Sequence, residues 1–175
     1  CALQHRRRGD GVVTSCRPVL RRRNACRSQK GRNFAPPAVL PDPVAHAKSY
    51  PFPAPDHCFV YEAGRWRRLD CAVDRTGRVP VLAAGSNQSP EQLSRKYGAI
   101  ADIGPIPAQR GRLPDFDVVY AAHLACYGSV PATFQHSPGT AVIVFVLWLD
   151  DRQLARKHQT EGHYTYDHLS GVRIA

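Results

Sequence analysis

The strongest structural signal in the chain is the run TAVIVFVLWL, residues 140–149. Nine of these ten residues are apolar and four are Val or Ile. A continuous apolar run rich in β-branched residues is typical of a strand that is buried on both faces. We therefore expect residues 140–149 to form the central strand of a sheet, entered from a turn at Ser137-Pro138-Gly139. With 175 residues, 43% of them apolar, the chain is long enough to build one core around this strand.

The other regular elements are predicted from shorter signals. The predicted strands are residues 58–71, as a hairpin that turns at Ala63-Gly64, residues 79–84, and a strand, loop and short strand within residues 116–134. Capping boxes and stop signals predict two helices. The first covers residues 89–98, with Ser89 as N-cap, Gln92 completing the box and Gly98 at the end; the second runs from Asp150, with Gln153 in the box, to about Thr160. Strands mixed with two short helices indicate an α+β or mixed α/β domain.

The positive charge is concentrated at the N-terminus. The formal net charge is +10, and residues 1–33 hold ten Arg or Lys against the single acid Asp10, so this segment carries +9 and the rest +1. We expect residues 1–44 to be a basic, Pro-rich, disordered tail and linker, and residues 45–175 to be the domain. Because the chain starts at Cys1 and lacks Met, we expect a fragment or an upstream extension of the true start.

Composition excludes several classes of function. A nucleic-acid role would depend on the tail alone, and the tail has no aromatic residue before Phe34 on which bases could stack. No apolar run reaches the roughly 18 residues of a membrane span, so we expect a soluble, cytoplasmic protein without a membrane partner. The six cysteines form no C-x-x-C pair, so neither a zinc knuckle nor a disulfide framework is expected.

A Gly-Ser-Asn loop joins the strand at residues 79–84 to the first helix. A loop that enters a helix N-terminus offers unpaired N–H groups and the positive end of the helix dipole. Gly85 permits positive φ and close approach of a ligand, and Ser86 and Asn87 add small donors. The loop is therefore a candidate cradle for a substrate oxygen; the alternative is an ordinary turn, in which the same residue types are common.

An acidic residue stands at the end of the second helix. Leu154, His158 and Glu161 lie at positions i, i+4 and i+7, so Glu161 faces the protein if Leu154 marks the buried stripe. Partial burial would raise the pKa of Glu161 and suit it to proton transfer near neutral pH. The alternative is a solvated helix residue paired with Arg156 or Lys157.

The same region also offers metal-ligating side chains. His158, Glu161, His163 and His168 lie within eleven residues. However, H-x-x-E-G-H is one residue longer than the helical zinc motif H-x-x-E-H, and Gly162 interrupts the helix between the ligands. We therefore expect no metal site.

Together, the strand, the Gly85-Ser86-Asn87 loop, the capped helix and SVPATFQHSPGTAVIVFVLWLDDRQLARKHQTEG resemble the γ-glutamylcyclotransferase-like family. The resemblance covers about residues 79–172, and its most specific parts are the loop and the pair Glu161-Gly162. It implies a small mixed β-barrel with short peripheral helices, which we expect to be incomplete at its C-terminus.

The resemblance also implies a reaction, in which the α-amine of a γ-glutamyl compound attacks its own γ-carbonyl, giving 5-oxoproline and a free amine. Glu161 would move the proton, and the N–H groups of Gly85, Ser86 and Asn87 would hold the substrate oxygens, flanked by Ala84 and Gln88. No metal or organic cofactor is implied.

Two positions depart from the family pattern. Ala84 stands where the family has Tyr, and Gln88 where it often has a small apolar residue. Tyr120, Tyr127 or Tyr164 could replace the missing phenol. The alternative function is a non-catalytic module of the same fold that binds a small carboxylate or peptide. The oligomeric state is not predicted.

Overall fold

A computed structural model of the chain describes residues 13–18, 42–70, 72–125, 127–161 and 164–175. Its seven strands form one sheet with the order β3-β2-β5-β6-β4-β1-β7. The strands are β1 (Val13–Pro18), β2 (Phe59–Glu62), β3 (Arg65–Arg68), β4 (Val79–Ala83), β5 (Ile106–Tyr120), β6 (Ala132–Leu149) and β7 (Tyr164–Leu169). The helices are α1 (Pro43–Lys48), α2 (Pro90–Tyr97) and α3 (Asp151–Thr160). The predicted α+β class is confirmed.

The first five strands in the sheet order, β3, β2, β5, β6 and β4, are all paired antiparallel with their neighbours in this group. The predicted hairpin is present as β2 and β3, and both of its turn residues have positive φ, 48° at Ala63 and 79° at Gly64. Two successive positive φ values are characteristic of the type I′ turn, whose twist matches that of the paired strands.

The predicted central strand is confirmed as the second half of β6, which pairs with β5 on one side and β4 on the other. The turn predicted at Ser137-Pro138-Gly139 is wrong, because β6 continues through these residues. They bulge out between two pairs in register, Phe116 with His136 and Pro114 with Ala141. The Gly139 N–H donates to the Asp115 carboxylate at 2.9 Å, which holds the bulge in place.

Alternate side chains of β6 enter two different cores. Phe145 and Leu147 pack with Leu93 and Tyr97 of α2 on the face covered by the helices. Val144 and Val146 pack on the other face with Phe134 and with residues near the C-terminus. The strand is thus buried on both faces, as its continuous apolar run predicts.

Side-chain caps fix where α2 and α3 begin. The Asp150 carboxylate accepts from the Gln153 N–H at 2.8 Å while the Gln153 side chain accepts from the Asp150 N–H at 3.0 Å, which is the predicted capping box. At α2 the Ser89 hydroxyl accepts instead from the Glu91 N–H at 3.2 Å. Gln92 is therefore not used as a cap there and lines a cavity described below.

The structure differs from the prediction of a disordered tail and linker over residues 1–44. Residues 13–18 form β1, which pairs antiparallel with β7 and contacts β4 in parallel. Helix α1, capped by Asp42, crosses the predicted boundary at residue 45. Residues 1–12 and 19–41 lie outside the described part of the chain.

The sheet is open. Among the described strands no pairing joins β3 at one edge to β7 at the other, so the closed barrel implied by the family resemblance is not seen. No helix of the described residues is long and apolar enough to cross a membrane.

Gln153 connects the start of α3 to the loop before β5. It is fully buried, and its amide group donates to the carbonyls of Ile103 at 2.8 Å and Pro105 at 3.1 Å. Replacing it with Ala removes the side-chain half of the capping box and takes the hydrogen-bond donor from the buried Ile103 carbonyl, so we expect Gln153→Ala to lower the free energy of unfolding by about 1–3 kcal/mol. Urea denaturation measures this, with the exposed Gln159→Ala on the same helix as control. Equal midpoints for the two variants would contradict the prediction.

Candidate functional site

A cavity of about 200 Å³ lies where the end of β4, the helices α2 and α3 and the start of β6 meet. Helix α2 supplies Gln92 and Lys96 to its wall, and α3 supplies Lys157 and Thr160, with Glu161 directly after the helix. Two hydrogen bonds from side chains to backbone carbonyls join the helices. The Arg156 guanidinium donates to the Lys96 carbonyl at 2.8 Å, and the Tyr97 hydroxyl donates to the Gln153 carbonyl at 3.3 Å. The walls are therefore fixed relative to each other.

The Gly-Ser-Asn segment forms a 3₁₀ turn, Gly85–Gln88, between β4 and Ser89, the N-cap of α2. Gly85 has a φ of 55°, in the left-handed region that favours glycine. A Cβ at this position would overlap the hydroxyl oxygen of Tyr50 and lie 2.9 Å from the Cβ of Ala132. Glycine is therefore required at position 85 both by its backbone conformation and by the approach of Tyr50.

Glu161 meets the loop across the cavity. It is only 8% exposed, and its Oε1 accepts a hydrogen bond from the Asn87 amide at 3.1 Å, although the two residues are 74 positions apart. The prediction that Glu161 points inward is confirmed. Of the stripe used to predict it, His158 is exposed; the buried residues of α3 are Gln153 and Lys157.

Two lysines also contact the Glu161 carboxylate. Lys96 donates from Nζ to Oε1 at 2.5 Å and to the Asn87 side-chain oxygen at 2.6 Å. Nζ of Lys157 forms an ion pair with the same Oε1 at 3.0 Å, but its direction does not satisfy hydrogen-bond geometry toward any described residue. Lys96 is 8% exposed and Lys157 1%, so both cations are buried. We call Asn87, Lys96, Lys157 and Glu161 the lysine–glutamate cluster.

The two lysines of the cluster lower the pKa of Glu161, whereas the sequence predicted that burial would raise it. Burial acts to raise the pKa of Glu161, but the attraction of Lys157 and Lys96 is together stronger and holds it well below its usual range. For Lys157 burial dominates: it lowers the pKa to about 7, against the raising effect of Glu161 and together with repulsion from Lys96. The expected raised pKa of Glu161 is therefore wrong. The alternative pair with Lys157 is present but is buried and not solvated, and Lys96 was not foreseen as a second partner.

The predicted substrate-binding residues divide between two sides of the turn. Ala84, Ser86 and Asn87 line the cavity. Gly85 packs against Tyr50, and both Gly85 and Gln88 line a separate hollow beside Val118–Tyr120 rather than the cavity itself.

One N–H group of the turn is bonded within the turn itself. The Asn87 N–H donates to the Ala84 carbonyl at 3.2 Å. Asn87 therefore faces the cavity with its side-chain amide, which bonds to Glu161, and the binding of substrate oxygens by the N–H groups of Gly85, Ser86 and Asn87 stays a prediction.

Three tyrosines surround the cavity where the family's loop tyrosine is replaced by Ala84. Tyr127 and Tyr164, two of the three predicted substitutes, line it, whereas Tyr120 is 78% exposed and does not. The third is Tyr50, whose hydroxyl accepts from the Ala132 N–H at 2.5 Å. Burial raises the pKa of all three hydroxyls, so they are neutral donors near pH 7.

Sequence reasoning missed Tyr50 and Lys96, and it named Lys157 only as a partner of Glu161 on a solvated helix face. Tyr50 lies in a Pro-rich segment just after the predicted domain boundary, and an aromatic pair, Tyr50 and Phe52, in such a segment is a signal that it packs on the domain. Each lysine directly follows an arginine, in Arg95-Lys96 and Arg156-Lys157. Such Arg-Lys pairs are typical of solvated helix faces. Only the three-dimensional structure shows which residue of each pair is buried.

A scan against protein-family models and searches of curated proteins and of solved structures found no match to this chain. The site must therefore be interpreted from its own geometry. The described residues contain no group of three His, Cys, Asp or Glu that could hold a metal ion; of the four ligands considered above, His163 lies outside them.

Chemically, the cavity combines one carboxylate, two amines, two amides, one imidazole, three phenols and the hydroxyls of Ser86, Thr133 and Thr160, and its carboxylate and both amines are buried. With both lysines protonated the cluster carries a net positive charge, since two cations face one anion. Such a site attracts small anions such as carboxylates, and it holds groups that exchange protons near neutral pH.

Proposed function

We propose that the protein acts on small γ-glutamyl compounds, cyclising them to 5-oxoproline with release of an amine. The observation that carries the proposal is the contact between Asn87 and Glu161 across the cavity. It joins the two motifs on which the resemblance to the γ-glutamylcyclotransferase-like family depends. The small mixed barrel of that family is part of the same proposal. To close the sheet into a barrel, further strand pairing would have to connect its two edges, β3 and β7.

The size and polarity of the cavity support a small substrate. At about 200 Å³ it is smaller than the roughly 300–1,000 Å³ typical of drug-sized ligands. Leu82, Pro131 and Phe134 add apolar side chains to a lining that also holds the lysine–glutamate cluster. A γ-glutamyl group has the same division, with a short methylene chain and a charged amino-acid end.

The reaction needs little beyond folding the substrate and moving protons, because nucleophile and electrophile belong to one molecule. The Lys96 ammonium, which has a third N–H beyond those bonded to Glu161 and Asn87, attracts the substrate α-carboxylate. Glu161 accepts a hydrogen bond from the substrate α-nitrogen and accepts one of the protons that this nitrogen loses during the reaction. The phenols of Tyr127 and Tyr164 are neutral donors for the carbonyl oxygen as it gains negative charge.

A non-catalytic module that binds a small carboxylate is the second candidate. It is favoured by the lowered pKa of Glu161, which is held ionised by two lysines and is then a weak base. Under this alternative the lysine–glutamate cluster holds a carboxylate ligand and no bond is made or broken.

Release of 5-oxoproline from γ-glutamyl dipeptides separates the two candidates. We expect the full chain to form this product, and Glu161→Gln to reduce the rate at least about 100-fold, as removal of a general acid–base group does. Glu91→Gln, at an exposed glutamate outside the cavity, is the matched control and should leave the rate unchanged.

Binding measured by calorimetry completes the experiment. Saturable binding of the dipeptide without any product would establish the binding module instead, and absence of both would overturn the two candidates together. Because Glu161→Gln is expected to be less stable, its rate is measured under conditions in which circular dichroism shows the variant to be folded.

A further inference from the structure

Lysine is rare in this chain, and its placement is selective. Only four of the 24 basic residues are lysines: Lys30, Lys48, Lys96 and Lys157. Of the three that the structure describes, Lys96 and Lys157 are buried, and both contact the same carboxylate oxygen. The arginines that precede them in sequence, Arg95 and Arg156, lie outside the cavity lining.

This choice of residue matters because arginine and lysine differ in what they can do with a proton. Arginine is always charged and forms the better fixed ion pair, whereas a buried lysine loses its proton readily. Arginine supplies 20 of the 24 cationic residues of the chain. Lysine nevertheless stands at both described positions where a buried cation faces Glu161. A purely structural role does not require that choice.

Geometry divides the two lysines into different roles. Lys96 has two hydrogen-bond partners, since Nζ donates to both Glu161 and Asn87. Lys157 lines the cavity with Nζ close to Glu161 but without a hydrogen bond to any described residue. One carboxylate neutralises one ammonium, so Lys157 is the cation that the cluster can release as a neutral amine.

The proposed reaction has a use for a second proton acceptor. The substrate α-ammonium carries three protons and the lactam nitrogen of 5-oxoproline keeps one, so two protons leave this nitrogen in each turnover. The leaving nitrogen gains both and departs as an ammonium ion, which balances the charge. One proton must move before the amine attacks the γ-carbonyl, and the other as the carbon–nitrogen bond to the leaving group breaks.

We propose that Lys157 is a second proton-transferring residue of this site, acting as a neutral amine beside the Lys96–Glu161 ion pair. This inference rests on the proposed function. The Lys157 amine takes the first proton from the substrate α-ammonium. After ring closure the resulting Lys157 ammonium donates that proton to the leaving nitrogen. Glu161 accepts the second proton from the α-nitrogen and also transfers it to the leaving nitrogen.

The surroundings of Lys157 favour the neutral amine. The titratable groups that share its cavity are Glu161, Lys96, Tyr50, Tyr127, Tyr164 and His123. Burial and the repulsion of Lys96 outweigh the attraction of Glu161 and bring the pKa of Lys157 to about 7. A base with this pKa is matched to proton transfer at neutral pH.

Lysine-selective isotope labelling tests the protonation state directly and without any substrate. In the full chain labelled with ¹³Cε and ¹⁵Nζ lysine, four side-chain signals are expected, and the one missing from Lys157→Met should titrate near pH 7. A Lys157 signal that remains that of an ammonium from pH 6 to 9 would overturn the inference, whatever substrates the protein turns over.

Kinetics supply the second readout. We expect Lys157→Met and Lys157→Arg each to lower kcat at least about 100-fold. In the wild-type chain kcat/KM should rise with pH through about 7, as Lys157 loses its proton, and this limb should be absent from both variants. Lys48→Met, at an exposed lysine outside the cavity, is the control.

The outcomes separate this inference from the function on which it rests. Product release by wild type together with unchanged kcat and pH profile in Lys157→Arg would overturn the role of Lys157 and leave the proposed function standing. No product from any γ-glutamyl dipeptide would overturn the proposed function, and with it the role of Lys157 in that reaction.

Discussion

Glu161→Gln should lower the free energy of unfolding by about 3–5 kcal/mol near pH 6, the range measured when one partner of a buried ion pair is removed. The substitution leaves Lys96 and Lys157 buried next to each other with an amide in place of their shared carboxylate. Neither amine can reach solvent without moving, since their exposed fractions are 8% and 1%. Chemical denaturation at fixed pH measures the loss.

The size of this loss should depend on pH. The pKa of Lys157 is lower in the folded chain, about 7, than the ordinary lysine value of 10.5, so between these values the unfolded chain binds more protons and stability rises with pH. Without Glu161 the pKa of Lys157 falls further, because the attraction that raised it is gone. By pH 9 Lys157 is neutral in both proteins, and the difference between them should be smaller than at pH 6.

Two further variants identify the excess charge as the cause. Glu161→Gln/Lys157→Met should recover part of the loss at pH 6, because it removes one of the two unpaired cations. Glu91→Gln, at an exposed i,i+4 pair with Arg95, should change stability by no more than about 0.5 kcal/mol. A loss below 1 kcal/mol for Glu161→Gln, or one independent of pH, would contradict the cluster as described.

Elements with a local cause were predictable from the sequence. The hairpin depends on Ala63-Gly64, the second helix on the Asp150–Gln153 box and the central strand on its own composition, and each agrees with the structure. The bulge at Ser137-Pro138-Gly139 was not predictable: turn residues can reverse a chain or bulge a strand, and the outcome depends on the partner strand β5.

The site was predictable only as a pair of motifs. The inward direction of Glu161 was predicted from a stripe through Leu154 and His158, whereas the buried positions of α3 are Gln153 and Lys157. The protonation of Glu161 depends on Lys96 and Lys157. The Arg-Lys dipeptides that contain these lysines are also common on exposed faces, so the pattern alone does not identify the buried member. Tyr50 was missed for a related reason, since a Pro-rich segment has no periodicity to show that it packs against Gly85.

Gly85→Ala tests the shape of the turn with an effect nearly as large. We expect a loss of about 2–5 kcal/mol, of which about 1–2 come from left-handed backbone in a residue with a Cβ and about 1–3 from overpacking. The new methyl would overlap the Tyr50 hydroxyl, which is held by the Ala132 N–H, and would press on the Ala132 Cβ at 2.9 Å. Neither neighbour can move without opening the contact between Tyr50 and β6.

The chain offers a matched control for the backbone contribution. Gly77 has a similar φ, 64° against 55° at Gly85, but a Cβ there would have nothing within 4 Å. Gly77→Ala should therefore lose only the backbone part, about 1–2 kcal/mol. Adding Tyr50→Phe to Gly85→Ala should recover some stability, because the overlapping oxygen is removed while the Ala132 contact remains. Equal losses of unfolding free energy for Gly85→Ala and Gly77→Ala in urea denaturation would mean that Tyr50 does not pack on the turn. The position of Tyr50 in the cavity wall would then be wrong.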